Sequence, residues 1–85
     1  MQLDEIRKKI DDVDARICAL LNERFDLVKE VAKAKKESGS AVENKAREDE
    51  VLKRVRELVP DDLKDYAEEV FRILIKDSKD LQRKL

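Results

Sequence analysis

A few polar side chains lie where the sequence pattern favours apolar ones, and these residues could do chemistry. Between residues 3 and 34 the apolar residues recur at alternating spacings of three and four, but position 24 of that register is an arginine. A guanidinium on an apolar seam must be paired or must face a ligand, because an isolated buried charge is very costly. Arg24 is therefore either half of a buried ion pair or part of an anion-binding site.

Four further charged residues flank apolar seams. Arg7 lies beside the start of the first seam and Lys35 beside its end, although a chain with 20 basic residues places many of them beside seams without a functional reason. Arg47 and Glu48 lie at the edge of a second apolar face. Glu48 could simply favour the dipole of a helix that begins there.

Two neutral polar residues interrupt an apolar stripe near the end of the sequence. The stripe places Ser78 and Gln82 on a buried helix face, four residues apart and therefore stacked. Either could make an interhelical hydrogen bond with no catalytic role. Together with the cations and Glu48, they would form a pocket suited to a small dianion that has an apolar body and a hydroxyl group.

The composition excludes several kinds of chemistry. There is no His and only one Cys, which excludes a His/Cys zinc site, a Ser-His-Asp triad and an internal disulfide. We see no metal cage and no phosphate-binding Gly loop, so we expect neither a metal nor a cofactor. The net charge of −1 argues against nucleic-acid binding. The lack of a long uncharged stretch, of a signal-peptide core and of a disulfide framework predicts a cytoplasmic protein that binds no membrane.

The elements that must position these residues are helices. One Gly and one Pro leave little turn material, and 4 % aromatic residues is low for a β-sandwich or barrel. The apolar spacing predicts one long N-terminal helix over residues 3–38, ended by Gly39 in the left-handed conformation. We predict a single all-α domain over residues 1–85, formed by a three-helix protomer.

The boundaries of the other two helices follow from their capping residues. Asn44 is a good N-cap for a second helix. Pro60 stops that helix because proline cannot continue it. Asp61 or Asp62 would then cap the third helix.

The length of the first helix predicts the quaternary structure. A helix over residues 3–38 would be about 54 Å long, whereas a compact monomer of this size should be only about 30 Å across. The chain cannot cover the whole apolar seam of that helix, so we predict a homodimer in which the long helices pack together or intertwine. The alternative is a loose monomeric hairpin.

Three segments share their residues, order and approximate spacing with a known family. They are EIRKKIDDVDARICALLNERFDLVKEVAKAK at 5–35, NKARE at 44–48 and FRILIKDSKDLQ at 71–82. In these segments the chain resembles the all-helical chorismate mutases of the AroQ class. Members of that family are intertwined homodimers that rearrange chorismate to prephenate without a cofactor, on the route to phenylalanine and tyrosine. The resemblance implies the same fold and activity here.

The resemblance also implies a role for each polar residue noted above. The site of one protomer would be lined by Arg24, Lys35, Arg47, Glu48, Ser78 and Gln82, while Arg7 would enter from the partner. The two substrate carboxylates would be held by Arg7, Arg24, Arg47 and Ser78. Glu48 would bind the ring hydroxyl, and Lys35 with Gln82 would bind the ether oxygen. The catalytic residues would therefore be Lys35, Gln82 and Arg24.

One position departs from the family pattern. Where many members carry Asp, this chain has Asn44. Asparagine still accepts a hydrogen bond and still caps a helix, so the expected contact with the substrate hydroxyl is weakened rather than lost. Asn44 therefore stays among the predicted substrate-binding residues.

Two other functions fit the same sequence. The first is a related enzyme that eliminates pyruvate from isochorismate on the same scaffold, and Glu48 favours the mutase over it. The second is a non-enzymatic helical dimerisation module. Such a module would bind no small dicarboxylate, and replacing Arg24 in it would affect only stability.

Overall fold

Three α-helices make up the structure, a computed structural model that describes residues 2–85. The helices are α1 (Gln2–Ser38), α2 (Lys45–Glu57) and α3 (Lys64–Lys84), and a short 3₁₀ turn (Asp61–Leu63) precedes α3. The described residues contain no strand. The predicted all-α class and the number of helices are confirmed.

The turn between α1 and α2 is built by the residues that the sequence predicted. Gly39 has a φ of 72°, in the left-handed region that favours glycine. The Ser40 amide donates to the Lys35 carbonyl at 2.9 Å, as in a Schellman motif. Asn44 caps α2, since its side-chain oxygen accepts from the Arg47 amide at 3.0 Å. Both helix ends are thereby fixed beside the connecting loop.

The start of α3 differs from the prediction. Neither Asp61 nor Asp62 caps this helix, because both lie within the preceding 3₁₀ turn. The N-cap of α3 is Leu63, which has no side-chain acceptor, and its amide donates to the Pro60 carbonyl at 3.0 Å. The chain thus enters α3 directly from a helical turn. Side-chain capping requires a non-helical residue with a side-chain acceptor at the helix boundary, and neither aspartate occupies that position.

The buried residues lie where α3 packs against the C-terminal half of α1 and against α2. The buried apolar side chains are Val28, Ala32, Leu52 and Val55. Glu68, near the start of α3, links this helix to the end of α2 through an ion pair with Arg56 at 3.1 Å. It also pairs with Arg72 of its own helix at 2.9 Å. The hydrogen bond from Arg72 is the main cause of the lowered pKa of Glu68. Because Val28 and Ala32 are the buried residues of α1, the three helices meet near residues 24–35 of that helix.

The N-terminal half of α1 projects beyond the other two helices. Every residue from 2 to 20 is exposed. The apolar seam residues among them are 41–63 % exposed; they are Leu3, Ile6, Ile10, Val13, Ile17 and Leu20. The described chain measures 56 × 26 × 15 Å, with a radius of gyration of 16.0 Å against about 12 Å for a compact chain of this length. Apart from Ile17 and Leu20, which share an apolar depression with Val70 and Phe71 of α3, this half of the longest helix thus has no cover from its own chain.

Candidate active site

A cleft of about 270 Å³ lies where the three helices meet, beside the loop that joins α1 to α2. Its floor is apolar and consists of Leu27, Val28, Val31, Val42, Val51 and Ile75. Its polar lining consists of Arg24, Lys35, Asn44, Arg47, Glu48, Ser78, Lys79 and Gln82. The structure thus brings together seven of the eight residues that the sequence predicted for a site.

The eighth predicted residue, Arg7, lies elsewhere. It is exposed on the projecting half of α1, and its backbone is about 26 Å from that of Arg24 along the helix, at about 1.5 Å per residue. An arginine side chain does not span that distance. Arg7 therefore cannot reach the cleft of its own chain, and its entry into a partner's cleft stays a prediction.

Arg24 lies at the edge of the cleft, between the cleft and an apolar surface that includes Phe71. One guanidinium nitrogen, Nη1, donates to Ser78 Oγ at 2.8 Å, and its Cζ lies 5.9 Å from the centre of the Phe71 ring. Burial, and then the charge of Arg47, lower the pKa of Arg24. Within residues 2–85 it forms no ion pair, which excludes the buried ion pair there and favours anion binding.

Ser78 and Gln82 are 7 % and 8 % exposed, which confirms that both lie on the buried face of α3. Ser78 Oγ accepts from Arg24 and donates to the Leu74 carbonyl at 2.6 Å. Gln82 Oε1 is buried and has no hydrogen-bond partner within the described chain. An unpaired buried carbonyl costs about 1–3 kcal/mol, so a ligand group that donated a hydrogen bond to this oxygen would remove that cost.

Lys35, in the last turn of α1, reaches over the cleft to the connecting loop. Its Nζ donates to the Val42 carbonyl at 2.6 Å and forms no ion pair with the described residues. An ammonium group has three donors, so two are left for a ligand. Lys35 can therefore hold the loop and bind an anion at the same time.

The first turn of α2 contributes the other predicted residues. Asn44 Oδ1 already caps the helix, which leaves its amide nitrogen and a second lone pair for a ligand. Arg47 pairs with Glu50 on the exposed side. Glu48 Oε1 accepts from Lys79 Nζ at 3.3 Å, whereas Glu48 Oε2 is buried and has no partner among the described residues. Glu48 thus presents a carboxylate oxygen that can still accept a hydrogen bond.

Lys79 also lines the cleft, although the sequence did not predict it as a site residue. Its ammonium bridges Glu48 at 3.3 Å and Glu43 at 3.4 Å. The hydrogen bond to Glu48 is the main cause of its raised pKa. Lys79 directly follows Ser78, which places it at the edge of the buried face, but its partners are 31 and 36 positions away. No local pattern encodes such a pairing.

The arrangement is suited to binding a small anion and stabilising charge on it. Two cations without carboxylate partners, an acceptor oxygen and a neutral amide line an apolar-floored cleft. In residues 2–85 we find no group of three His, Cys, Asp or Glu side chains that could hold a metal ion. No helix in the same part of the chain combines the length and apolarity needed to cross a membrane.

A family model and several known proteins of the same family match this chain. The model of "Chorismate mutase type II" matches residues 6–83. A chorismate mutase of Methanocaldococcus jannaschii is 38 % identical over 84 residues, which cover 96 % of this chain and 85 % of that protein. An intracellular chorismate mutase of Mycobacterium tuberculosis is 38 % identical over 60 residues, 71 % of this chain and 57 % of that protein. One of Mycolicibacterium smegmatis is 31 % identical over 72 residues, 85 % and 69 % of the two chains.

No solved structure gave a significant match. The family match nevertheless spans all three helices and every residue that lines the cleft. The relative from Methanocaldococcus jannaschii matches almost the whole chain. The resemblance in the sequence is therefore confirmed, and this chain belongs to the type II chorismate mutase family of isomerases.

Proposed function

We propose that this chain rearranges chorismate to prephenate in the cleft between its three helices. The observation that carries the proposal is uncompensated positive charge, because Arg24 and Lys35 line the cleft and neither forms an ion pair with a described residue. A substrate with two carboxylates would supply the missing negative charge. Family membership and the activity for which the relatives are named support chorismate as that substrate.

The carboxylates of the substrate are assigned to the cationic side of the cleft. Arg24 and Ser78 are already joined at 2.8 Å, so a carboxylate could contact both side chains at once. Arg47 lies close enough for its charge to lower the pKa of Arg24, and an anion between the two arginines would relieve that repulsion. Arg7 of the partner would complete the binding of the carboxylates.

The ring hydroxyl is assigned to the first turn of α2. Glu48 Oε2 is the buried acceptor without a partner, and a hydroxyl is a donor of suitable size. Asn44 lies one turn earlier and offers a weaker, neutral contact. Bonding of Glu48 to the hydroxyl would satisfy the carboxylate.

The ether oxygen is assigned to Lys35 and Gln82. Lys35 keeps two free donors while it holds the Val42 carbonyl. Rotation about the last side-chain bond of Gln82 exchanges the amide nitrogen with the unpaired oxygen, so the same position can present a donor. Two donors would then face the oxygen on which negative charge develops.

The proposed chemistry requires binding and electrostatics only. In this rearrangement a carbon-oxygen bond breaks while a carbon-carbon bond forms in one step, so no acid, base, nucleophile or cofactor takes part. Arg24 contributes by fixing a carboxylate, which holds the flexible dianion in the compact conformation that reacts. Lys35 and Gln82 stabilise the charge on the ether oxygen, which is worth about 3–4 kcal/mol per donor in other enzymes.

A continuous ultraviolet assay of chorismate disappearance tests the activity. We expect turnover by the wild type and a loss of at least a hundredfold in Arg24→Ala, with circular dichroism to confirm that the variant folds. Isochorismate is assayed in parallel, and pyruvate release from it would assign the related lyase instead. Absence of turnover with either substrate would leave the dimerisation module.

We further propose that the functional unit is a homodimer, in which the projecting half of α1 packs on a second copy. The exposed seam residues support this, since contiguous apolar surface of that length is rare on monomers. Sedimentation equilibrium should give about twice the chain mass of 9.9 kDa. The unfolding midpoint should rise with protein concentration. A folded monomer with a midpoint independent of concentration would contradict the proposal.

Asn44→Asp is expected to lower KM or raise turnover modestly. An ionised carboxylate accepts a stronger hydrogen bond from a hydroxyl than a neutral amide does. Aspartate also caps helices well, so α2 should keep its start. Steady-state kinetics of both proteins measure the change. A normally folded variant with reduced activity would show that the neutral amide serves this site better.

We also infer that the enzyme works in the cytoplasm and contributes to the formation of phenylalanine and tyrosine. The mycobacterial relatives support the location because they are named intracellular chorismate mutases. The composition supports it as well, since the single Cys offers no disulfide framework. Cell fractionation with an antibody against the chain tests it.

A further inference from the structure

We propose that Lys79 is a positioning residue that holds Glu48 in place for the substrate hydroxyl. The inference deepens the proposed function and rests on it. Lys79 lies on α3 between Ser78 and Gln82 and lines the cleft. Its ammonium group is directed to carboxylates of the protein, at 3.3 and 3.4 Å, so its role differs from that of Arg24 and Lys35.

The Lys79–Glu48 pair is the most enclosed ion pair in residues 2–85. The two side chains are 21 % and 18 % exposed, whereas every other pair has at least one partner that is 38 % exposed or more, the Lys79–Glu43 pair included. Exposed pairs constrain their side chains little. An enclosed pair keeps a defined geometry, because water competes less for either group. Glu48 is therefore held in one orientation.

The two oxygens of Glu48 have separate partners. Oε1 accepts from Lys79, while Oε2 is buried without a partner and belongs to a residue that lines the cleft. A carboxylate whose first oxygen is bound to a fixed cation can direct the second oxygen at a ligand. Lys79 also offsets the negative charge of Glu48, which would otherwise repel a dianionic substrate.

Glu43 is a second and weaker partner of the Lys79 ammonium. It lies in the loop between α1 and α2 and accepts from Lys79 Nζ at 3.4 Å, with a side chain that is 59 % exposed. The bond to Glu48, with a smaller contribution from Glu43, raises the pKa of Lys79. Lys79 is thus a permanent cation that is bound on two sides by protein carboxylates.

Other charged groups surround Glu48 but do not bond to it in the described chain. They line the same two depressions as Glu48, and they are Arg24, Lys35, Arg47, Arg72 and Lys76. Lys76 provides a matched control. It lies on the same helix as Lys79 and carries the same charge, but it is 72 % exposed and pairs with Asp77 and Asp80, so water and these carboxylates screen its charge from Glu48.

A measurement without substrate tests the pair itself. The ¹³C chemical shift of the Glu48 carboxyl carbon is recorded by NMR of ¹³C-labelled protein at neutral pH, with Glu48→Gln used for assignment. We expect this chemical shift to change in Lys79→Met, because the carboxylate loses the charged donor that bonds to it. It should stay close to the wild-type value in Lys79→Arg and in Lys76→Met. An unchanged chemical shift in Lys79→Met would overturn the proposal.

Chorismate kinetics test whether the pair acts on the substrate. We expect Lys79→Met to lower kcat/KM roughly tenfold, mostly through KM, as for the loss of a charged hydrogen bond. Lys79→Arg should restore most of this, and Lys76→Met should resemble the wild type. In a Glu48→Gln background the change at Lys79 should have little further effect, since its action passes through that carboxylate.

The possible failures are distinguishable. An equal loss at Lys79 in the wild-type and Glu48→Gln backgrounds would overturn the positioning role, because Lys79 would then act independently of Glu48. A wild-type protein without chorismate turnover would overturn the proposed function, whatever the chemical shift of the Glu48 carboxyl carbon shows. Circular dichroism and the unfolding midpoint of each variant separate a loss of fold from either result.

Discussion

An equal mixture of Arg7→Ala and Lys35→Ala protein, each inactive by itself, is expected to recover roughly a quarter of the wild-type activity. In a symmetric dimer whose sites take Arg7 from one chain and Lys35 from the other, a mixed dimer has one intact site and one doubly defective site. Random exchange makes about half of the dimers mixed. About one site in four is then intact. Activity after denaturation and joint refolding measures the recovery.

A second mixture serves as the matched control. Lys35 and Arg47 line the same cleft of the same chain, so a mixture of Lys35→Ala and Arg47→Ala protein leaves one defect in every site. That mixture should recover nothing. Differently tagged chains show by co-purification that mixed dimers form. Equal recovery in both mixtures, or no recovery in the first with mixed dimers present, would contradict the contribution of Arg7 from the partner.

The position of Arg7 explains why this experiment is informative. Arg7 lies in the stretch from 2 to 20, in which every residue is exposed and most of the apolar seam has no cover. A second copy that covers this seam would bring its own cleft close to the projecting helix. In the proposed dimer, the contact that covers the apolar seam would thus also bring the partner's Arg7 to the cleft.

Much of the cleft could be predicted because its residues break strong local patterns. The heptad-like register of α1 singles out Arg24 as a charge among apolar positions, and the stripe on α3 singles out Ser78 and Gln82. Asn44 and Gly39 mark the ends of the loop beside the cleft through their own backbone preferences. These signals are local, so the sequence alone shows them.

The remaining features depend on contacts between distant segments. Lys79 is one of many lysines at the edge of a helix face, and only the folded chain shows that it meets Glu43 and Glu48. The predicted N-cap of α3 was wrong for a different reason. Asp61 and Asp62 are both good capping residues, but the helical turn after Pro60 moves the boundary to Leu63, and turn geometry of this kind is weakly encoded.

Gln82→Glu is expected to be most active at acid pH and to lose rate as the introduced carboxyl ionises. The wild-type amide can donate to the ether oxygen throughout the neutral range, because its charge does not change with pH. A carboxyl group is nearly isosteric but donates only when it is protonated. Once ionised, it opposes the negative charge that develops on the reacting oxygen, and the loss should be on the order of a hundredfold or more.

The surroundings of position 82 determine where this loss occurs. The side chain is 8 % exposed, and burial raises the pKa of a carboxyl above its ordinary value of about 4.3. Lys35 and Arg24 line the same cleft and oppose that rise. Both substrate carboxylates are ionised across the pH range in which the introduced carboxyl group loses its proton. A pH-dependent difference between variant and wild type therefore reports on position 82 itself.

The measurement is turnover against pH for three proteins, with folding checked by circular dichroism at each pH. Gln82→Met is the matched control, since it keeps the length of the side chain but cannot donate. It should be slow at every pH, with a profile parallel to that of the wild type. At high pH Gln82→Glu should fall to the level of Gln82→Met or below. If its profile merely parallels the wild type, Gln82 does not contact the ether oxygen, and its buried side chain contributes only to the packing of α3.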